Sequence, residues 1–210
     1  MNYNGLEFSW KGHSTVKVED EGFSLVVDPF NGYVDREAEL VLVTHDHEGH
    51  FDPEALEKVC GDSTCLVVPE SFEGKELPCR DVEYVTEGEV IDVFGVEIEA
   101  VPMYNEHHEQ GDGFGYRFVM NKTSVYVAGD TGLIKEASQL EGVIDVAFLP
   151  VEGVYTMDVE DAIQMAVRIK PSVVVPYHYG EPFFPDAEVD LRGLRAELED
   201  RNIRCQVLDS

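Results

Sequence analysis

The sequence predicts an α/β protein in which two β-sheets pack as a sandwich with helices on the outside. Continuous apolar runs, such as ELVLV and VAFLP, are typical of strands that are buried on both faces. Two later segments repeat apolar residues at the i, i+3, i+4 spacing of amphipathic helices. Each half of the chain has strands followed by strand–helix units, and this repetition favours a sandwich of two sheets.

The composition indicates a single folded domain over residues 1–210. Hydrophobic residues make up 43% of the 210 residues, which is enough for a sizeable core and excludes intrinsic disorder. No apolar run reaches the length of a membrane span, and the N-terminal sequence lacks the features of a signal peptide. We therefore expect a cytoplasmic protein without a membrane partner, and the oligomeric state stays open.

The charge is strongly acidic, with 43 Asp and Glu against 15 Lys and Arg and a formal net charge of -28. The acidic residues are spread along the whole chain. This pattern is typical of halophilic proteins, in which counterions screen the repulsion between like charges. An ordinary acidic cytosolic protein is the alternative. Because an acidic surface repels phosphate backbones, we expect no nucleic-acid partner.

Four cysteines, at positions 60, 65, 79 and 205, show no C-x-x-C spacing. Disulfides form in oxidising compartments, and no secretion signal is visible. The expectation is therefore four free thiols in a reducing compartment.

The first half of the chain is predicted to be mostly strands. Short β-rich runs over residues 6–28 are separated by turns, and a buried strand then leads into residues 44–52. Pro53 begins a short helix, for which Asp52 is a plausible N-cap. The run TCLVVP predicts another buried strand. Two hairpins follow, with turns at Phe94-Gly95 and at residues 121–123.

The second half alternates buried strands with helices. The strand VAFLP precedes an amphipathic helix over residues 158–169, whose first turn is acidic. The run SVVVPYHYG predicts a strand that ends in a histidine. Three leucines, at 191, 194 and 198, mark a closing helix, and CQVL predicts a last strand.

Histidines concentrate where strands run out into loops, which is where sites form at the edge of a sheet. The segment THDHEGHFD, residues 44–52, contains His45, His47 and His50. Three imidazoles this close repel one another when charged and weaken apolar packing when neutral, and a divalent metal removes both problems. Zinc binds imidazole nitrogen and prefers four ligands. The segment therefore predicts a metal site, with a polar loop as the alternative.

Further ligands are expected at the ends of other strands, because one loop cannot complete a coordination sphere. The candidates are Asp130 in VYVAGDTG, His178 in VVVPYHYG, and His107 or His108 in YNEHHEQGDG. A turn aspartate or helix cap is the alternative for Asp130, and a hydrogen-bonded core histidine is the alternative for His178.

These motifs resemble the T-H-x-H-x-D-H signature of the metallo-β-lactamase fold hydrolases. The resemblance extends over the whole chain, through GHS at 12–14, GDT at 129–131, LPVEGVYTM at 149–157 and PYHYG at 176–180. It is strongest to the single-domain branch that includes L-ascorbate-6-phosphate lactonase. It implies a four-layer αβ/βα sandwich with one or two divalent metal ions. Zinc is the expected ion, and manganese, iron and nickel are alternatives.

The resemblance also implies a ligand set for two metals. The first metal would be bound by His45, His47 and His108, the second by His50 and His178, and Asp130 would bridge the two. His108 is preferred to His107 because the family spacing H-x-x-G-x-G fits His108, Gly111 and Gly113.

One position departs from the family pattern. The family has an aspartate ligand of the second metal where this chain has Gly49. We consider Glu152 as a replacement ligand, with a solvated loop glutamate as the alternative, and Glu48 as a less suitable one because it should point away. His13, in GHS, is interpreted as a proton-transfer group or a hydrogen-bond partner of the ligands. A structural histidine is the alternative for His13.

The expected function is a metal-dependent hydrolase that uses a metal-bound hydroxide on an ester, lactone or phosphoester of a small molecule. Asp130 and His13 are the candidate catalytic residues, and Asp28 and Asp46 are candidates to orient metal-bound histidines. One alternative is a catalytically degenerate metal- or ligand-binding protein, which Gly49 favours. A nuclease of the same fold would need a basic surface. Segments 69–80, 104–114 and 181–190 are expected to determine specificity.

Overall fold

The computed structural model describes residues 1–34, 36–180, 182–186 and 188–209. Two seven-stranded mixed sheets pack face to face, and helices cover the outer face of each sheet. This architecture confirms the predicted four-layer αβ/βα sandwich. No helix within the described ranges is long and apolar enough to cross a membrane.

The two sheets repeat one topology. In each sheet three antiparallel pairings are followed by three parallel pairings. The first sheet contains, in spatial and chain order, β1 (Asn2–Tyr3), β2 (Leu6–Trp10), β3 (Val16–Asp20), β4 (Phe23–Val27), β5 (Ala38–Leu42), β6 (Cys60–Pro69) and β7 (Asp81–Val85). The second sheet contains β8 (Val90–Val93), β9 (Val96–Pro102), β10 (Phe114–Met120), β11 (Thr123–Val127), β12 (Val146–Pro150), β13 (Val173–Tyr177) and β14 (Arg204–Cys205).

Three α-helices of the described residues lie in the outer layers, and each is preceded by an aspartate that accepts hydrogen bonds from the first-turn amides. Helix α1 (Pro53–Val59) packs on the first sheet, whereas α2 (Val159–Ile169) and α3 (Leu191–Glu199) pack on the second. Asp52 caps α1 and Asp158 caps α2, so the predicted N-cap at Asp52 is confirmed.

The continuous apolar runs are explained by burial on both faces of each strand. In β12, Val146 and Phe148 lie in the cluster between the sheets, while Ala147 and Leu149 belong to the cluster under α2 and α3. Side chains alternate between the faces of a strand, so one run supplies two of the apolar layers.

Both predicted hairpins are present. The turn between β8 and β9 is Phe94-Gly95, whose φ angles of 56° and 82° suit a two-residue hairpin turn. The second turn is one residue shorter than predicted, because Thr123 already pairs with Met120. The last strand is also shorter than the predicted CQVL, since β14 ends at Cys205.

The expectation of four free thiols is wrong, because Cys60 and Cys79 form a disulfide with their Cα atoms 5.2 Å apart. Cys60 begins β6, Cys79 precedes β7 by two residues, and the parallel pairing of these strands brings the two together. Their separation of 19 residues gives no local motif. Cys65 and Cys205 are free and buried. Since disulfides persist in oxidising compartments, the cysteines no longer favour a reducing one.

Candidate metal centre

Six of the predicted site histidines and Asp130 converge at one end of the sandwich, where the parallel strands of both sheets end. The loop that follows β5 carries His45, His47 and His50, and Asp130 follows β11. His178 comes directly after β13, at a backbone φ of 61°. The remaining histidines come from connections between antiparallel strands: His13 between β2 and β3, and His108 between β9 and β10.

One group of ligand atoms has the spacing of a coordination sphere. The Nε2 atoms of His50 and His178 are 3.1 Å apart, and each lies 3.1 Å from Oδ1 of Asp130. Ligands of tetrahedral zinc with bonds of 2.0–2.1 Å lie about 3.3–3.4 Å from one another. These three atoms therefore suit a single cation. A ring nitrogen of His13 lies within 4.8 Å of those of His50 and His178. We call His13, His50 and His178 the inner group.

A second group lies on the other side of Asp130. Nδ1 of His47 is 2.9 Å from Nε2 of His108. Oδ2 of Asp130 is 3.8 Å from Nε2 of His45 and 3.7 Å from Nε2 of His108. We call His45, His47 and His108 the outer group, because His47 is exposed to solvent. The two oxygens of Asp130 thus face different groups of histidines.

The structure brings His108, and not His107, to the outer group. His108 is 5% exposed, whereas His107 is exposed at the surface. Gly113, the second glycine of the predicted H-x-x-G-x-G spacing, lies where there is no room for a side chain. A Cβ added there would overlap the Cβ of His45 and the carbonyl oxygen of Thr44.

Several buried atoms of the centre have no hydrogen-bond partner among the described residues, which tests whether these residues fit a cation. They are Nδ1 of His13, Nε2 of His45 and Oδ1 of Asp130, whereas the nitrogen of His178 without a partner is Nδ1 and not the Nε2 that faces Asp130. A buried polar atom without a partner costs about 1–3 kcal/mol. Nitrogen and oxygen donors that converge without partners are those that a divalent cation binds. The residues therefore fit a metal centre.

The electrostatics of the centre also favour a cation. Burial and the neighbouring histidines lower the pKa of His13 to about 2, and burial lowers the pKa of His178 to about 4. Burial alone would lower the pKa of His50, but Asp130 and Asp28 raise it to about 10. Burial alone would raise the pKa of Asp130, but His178 and His50 hold it well below its usual range. The ionised carboxylate of Asp130 and the neutral rings of His13 and His178 are forms that bind metals, whereas His50, whose pKa is raised, must release a proton when a cation binds.

Asp28 orients the inner group. Its carboxylate is fully buried, and Oδ2 lies 2.8 Å from Nδ1 of His50. The amide and the hydroxyl of Thr44 donate to the same carboxylate at 2.7 Å. This contact leaves Nε2 of His50 free to face a cation, as expected for a metal-binding histidine. The other predicted acceptor, Asp46, instead forms an ion pair with Lys75 at the surface.

Asn105 orients the outer group, a role that was not predicted from the sequence. Its Oδ1 accepts from the amides of His107 and His108 and lies 3.1 Å from Nδ1 of His108. Its Nδ2 donates to the carbonyl oxygen of Asp130 at 2.9 Å. An asparagine shortly before a histidine pair in a loop is a signal for such a turn, because its side chain bonds to amides that follow.

Glu152 is engaged elsewhere. Its carboxylate accepts hydrogen bonds from the amides of Val154, Tyr155 and Thr156 at 2.6–2.8 Å. It belongs to none of the metal-binding groups formed by the described residues. The hypothesis that Glu152 replaces the missing carboxylate has no support in these contacts, which instead stabilise the loop after β12.

The centre opens into a cleft of about 480 Å³. Aromatic side chains form part of its wall, and the segments 104–114 and 181–190 contribute to it as predicted, although Glu181 and Ala187 lie outside the described residues. No described residue of segment 69–80 lines it, and none of its described lining residues is a lysine or arginine. The lining residues are His13, His47, Glu48, His50, His107, His108, Asp130, Tyr155, His178, Phe183 and Phe184.

Comparison with known proteins identifies the family. Residues 7–178 match the β-lactamase superfamily domain. A UPF0173 metal-dependent hydrolase of Methanopyrus kandleri is 29% identical over 97% of this chain and 96% of its own length. Another, of Nitratidesulfovibrio vulgaris, is 31% identical over 96% of this chain and 90% of its own length.

A solved structure supports the same assignment. The crystal structure of a candidate metal-dependent hydrolase from Parabacteroides distasonis aligns with a TM-score of 0.84 at 30% identity, over 97% of this chain and 94% of the other. The fold, the convergent histidines and these relatives agree. The chain therefore belongs to the β-lactamase superfamily, as a metallo-β-lactamase fold protein of the metal-dependent hydrolase class.

Proposed function

We propose that this protein binds two divalent cations and hydrolyses an ester or lactone bond of a small, uncharged molecule. The outer group would hold one ion, His50 and His178 of the inner group would hold the other, and Asp130 would be shared. The observation that carries the proposal is the carboxylate of Asp130, which directs Oδ1 to the inner group and Oδ2 to the outer group.

The donor set favours zinc. Five imidazoles and one carboxylate converge on the two positions. Imidazole nitrogen suits zinc, iron and nickel, whereas manganese is better matched by oxygen ligands. Zinc accepts tetrahedral sites of this composition without any further geometric demand.

When bound, the two ions supply a water that ionises near neutral pH and polarise the substrate oxygen. The residues of the chain keep this chemistry in place. Asp130 sets the separation of the two positions, while Asp28 and Asn105 fix the rings of His50 and His108. Phe183 and Phe184, on the wall of the cleft, would exclude solvent and contact an apolar part of the substrate.

The charge of the cleft favours a neutral substrate. None of its described lining residues is a lysine or arginine. The exposed residue Glu48 does line it and contributes a carboxylate. An anionic group at a distance from the cations would find no partner there. This favours neutral esters and lactones over phosphorylated ones.

A substrate panel tests this proposal. Zinc-loaded protein in high salt is assayed with 4-nitrophenyl acetate and dihydrocoumarin, and with 4-nitrophenyl phosphate and its diester. We expect the higher kcat/KM on the uncharged esters and lactones, and loss of activity in His45→Ala at an unchanged thermal unfolding profile. Preference for the phosphoesters would contradict the substrate class. Two tightly bound ions without turnover on any substrate would instead favour the binding protein that Gly49 suggested.

A further inference from the structure

The space beside Gly49, where the family has an aspartate side chain, is filled by the ring of His13. A Cβ added to Gly49 would lie 2.5 Å from Nε2 and 2.7 Å from Cδ2 of His13. The imidazole of His13 therefore occupies the volume that a side chain at position 49 would need. The glycine in the histidine loop and the position of His13 are two parts of one arrangement.

The backbone holds His13 in this position. His13 has a φ of 43°, which is uncommon for a residue other than glycine. Its carbonyl oxygen accepts from Nε1 of Trp10 at 2.7 Å and from the amide of His178 at 3.1 Å. The neighbouring hydroxyl of Ser14 donates to the carbonyl oxygen of Gly49. A strained residue that the surroundings fix this firmly points to a functional role.

The ring of His13 belongs to the inner group. It is 2% exposed, and its centroid lies 4.0 Å from that of His178 and 5.5 Å from that of His50. Among the residues that the structure describes, none is a hydrogen-bond partner of its Nδ1. The proton-transfer role of His13 stays a prediction.

We infer that His13 is a direct ligand of the second cation and takes the coordination position that a carboxylate at residue 49 would otherwise fill. The inference rests on the proposed function, which places a cation between His50, His178 and Asp130. The second position would then have three imidazoles and Oδ1 of Asp130 as protein ligands. Replacing an anionic ligand by a neutral imidazole shifts the preference of this position further from manganese toward zinc, iron or nickel.

The metal content of variants tests directly whether His13 is a ligand of the second cation. The wild-type protein, His13→Ala and the control His107→Ala are dialysed against zinc, and the metal per chain is measured by elemental analysis. We expect two ions in the wild type and in His107→Ala, and one tightly bound ion in His13→Ala. Added imidazole, which fits the space left by the ring, should restore the second ion to His13→Ala.

The outcomes separate this inference from the proposed function. Two tightly bound ions in His13→Ala would overturn the role of His13 while leaving the two-cation proposal intact. Fewer than two ions in the wild type would overturn the proposed function itself, and the inference with it.

A second measurement uses only the wild-type protein, so its result does not depend on whether a variant folds. Nitrogen NMR of the zinc-loaded wild type, labelled at its histidine side chains, counts the rings with a metal-bound nitrogen. We expect six of the seven histidines to show the shift of metal binding, His107 being the exception. Five shifted rings, with His13 among the unshifted, would overturn the inference.

Discussion

The outer and inner groups are built in different ways, although they share Asp130. Two of the three outer histidines, His45 and His47, come from one loop, and His47 is exposed to solvent. The inner histidines come from three distant segments, and none is more than 2% exposed. A local sequence motif thus encodes most of the outer group, whereas the topology of the sandwich assembles the inner group.

Backbone conformation shows the same contrast. His13 and His178 of the inner group, and Asp28 behind it, have φ angles of 43°, 61° and 47°. None of the outer histidines has a positive φ. Such conformations cost of order 1–3 kcal/mol each and persist where the surroundings fix them. The inner group therefore depends on the folded scaffold, and a ligand lost from one segment can be replaced from another.

The largest effect is expected from the residue that the two groups share. Asp130→Asn keeps the shape of the side chain but removes its charge, so both ions should bind more weakly and kcat/KM should fall about 10²–10³-fold or more. Elemental analysis after dialysis and steady-state kinetics check this. Loss of one ion alone would show that Asp130 belongs to a single group.

A smaller effect, limited to the affinity for the second ion, is expected from a change at Asp28, which lies behind the inner group. Asp28→Asn removes the carboxylate that accepts from Nδ1 of His50, and loss of such partners typically weakens metal binding about 10–100-fold. Zinc titration against a competing chelator should show weaker binding of the second ion and unchanged binding of the first. Equal weakening of both ions would contradict the separation of the groups.

The matched change behind the outer group is Asn105→Ala. It removes a neutral hydrogen-bond partner of His108, and a bond of this kind contributes about 0.5–1.5 kcal/mol, so the affinity for the first ion should fall by about tenfold or less. The same titration should leave the second ion unchanged. If Asn105→Ala releases the second ion first, the assignment of Asn105 to the outer group is wrong.

Removal of the Cys60–Cys79 disulfide is expected to have the smallest effect on metal binding by either group. Cys60 and Cys79 pack with the cluster under α1, apart from both groups. Cys60→Ser should lower the free energy of unfolding by about 3 kcal/mol, from the loop-closure entropy of a loop of this size. Denaturant unfolding measures that loss, and metal content should stay the same. A change in metal content would mean that the cross-link helps to hold the centre.

Much of the fold follows from local patterns. The runs of VAFLP and ELVLV predict strands with two buried faces, and Asp52 before Pro53 predicts the start of a helix, because each signal lies within a few neighbouring residues. The Cys60–Cys79 disulfide was not predictable in this way, because strand pairing brings together residues that have no motif in common.

Local patterns also predict some of the site residues and miss others. The histidine loop and Asp130 stand out by residue type at strand ends. The carboxylate missing at Gly49 suggests another carboxylate, Glu152, as its replacement. The structure instead places the ring of His13 in the vacant space, and only tertiary packing reveals that contact.

The proposed metal centre has two cations that share Asp130, and His13 contacts the second one. A crystal structure of the zinc-loaded protein, with anomalous scattering measured at the zinc edge, tests it most directly. We predict two zinc peaks roughly 3.5–4 Å apart. One oxygen of Asp130 should bind each ion, and a nitrogen of His13 should lie about 2.0–2.1 Å from the inner ion. A single peak, or two peaks with His13 turned away from both, would contradict this account.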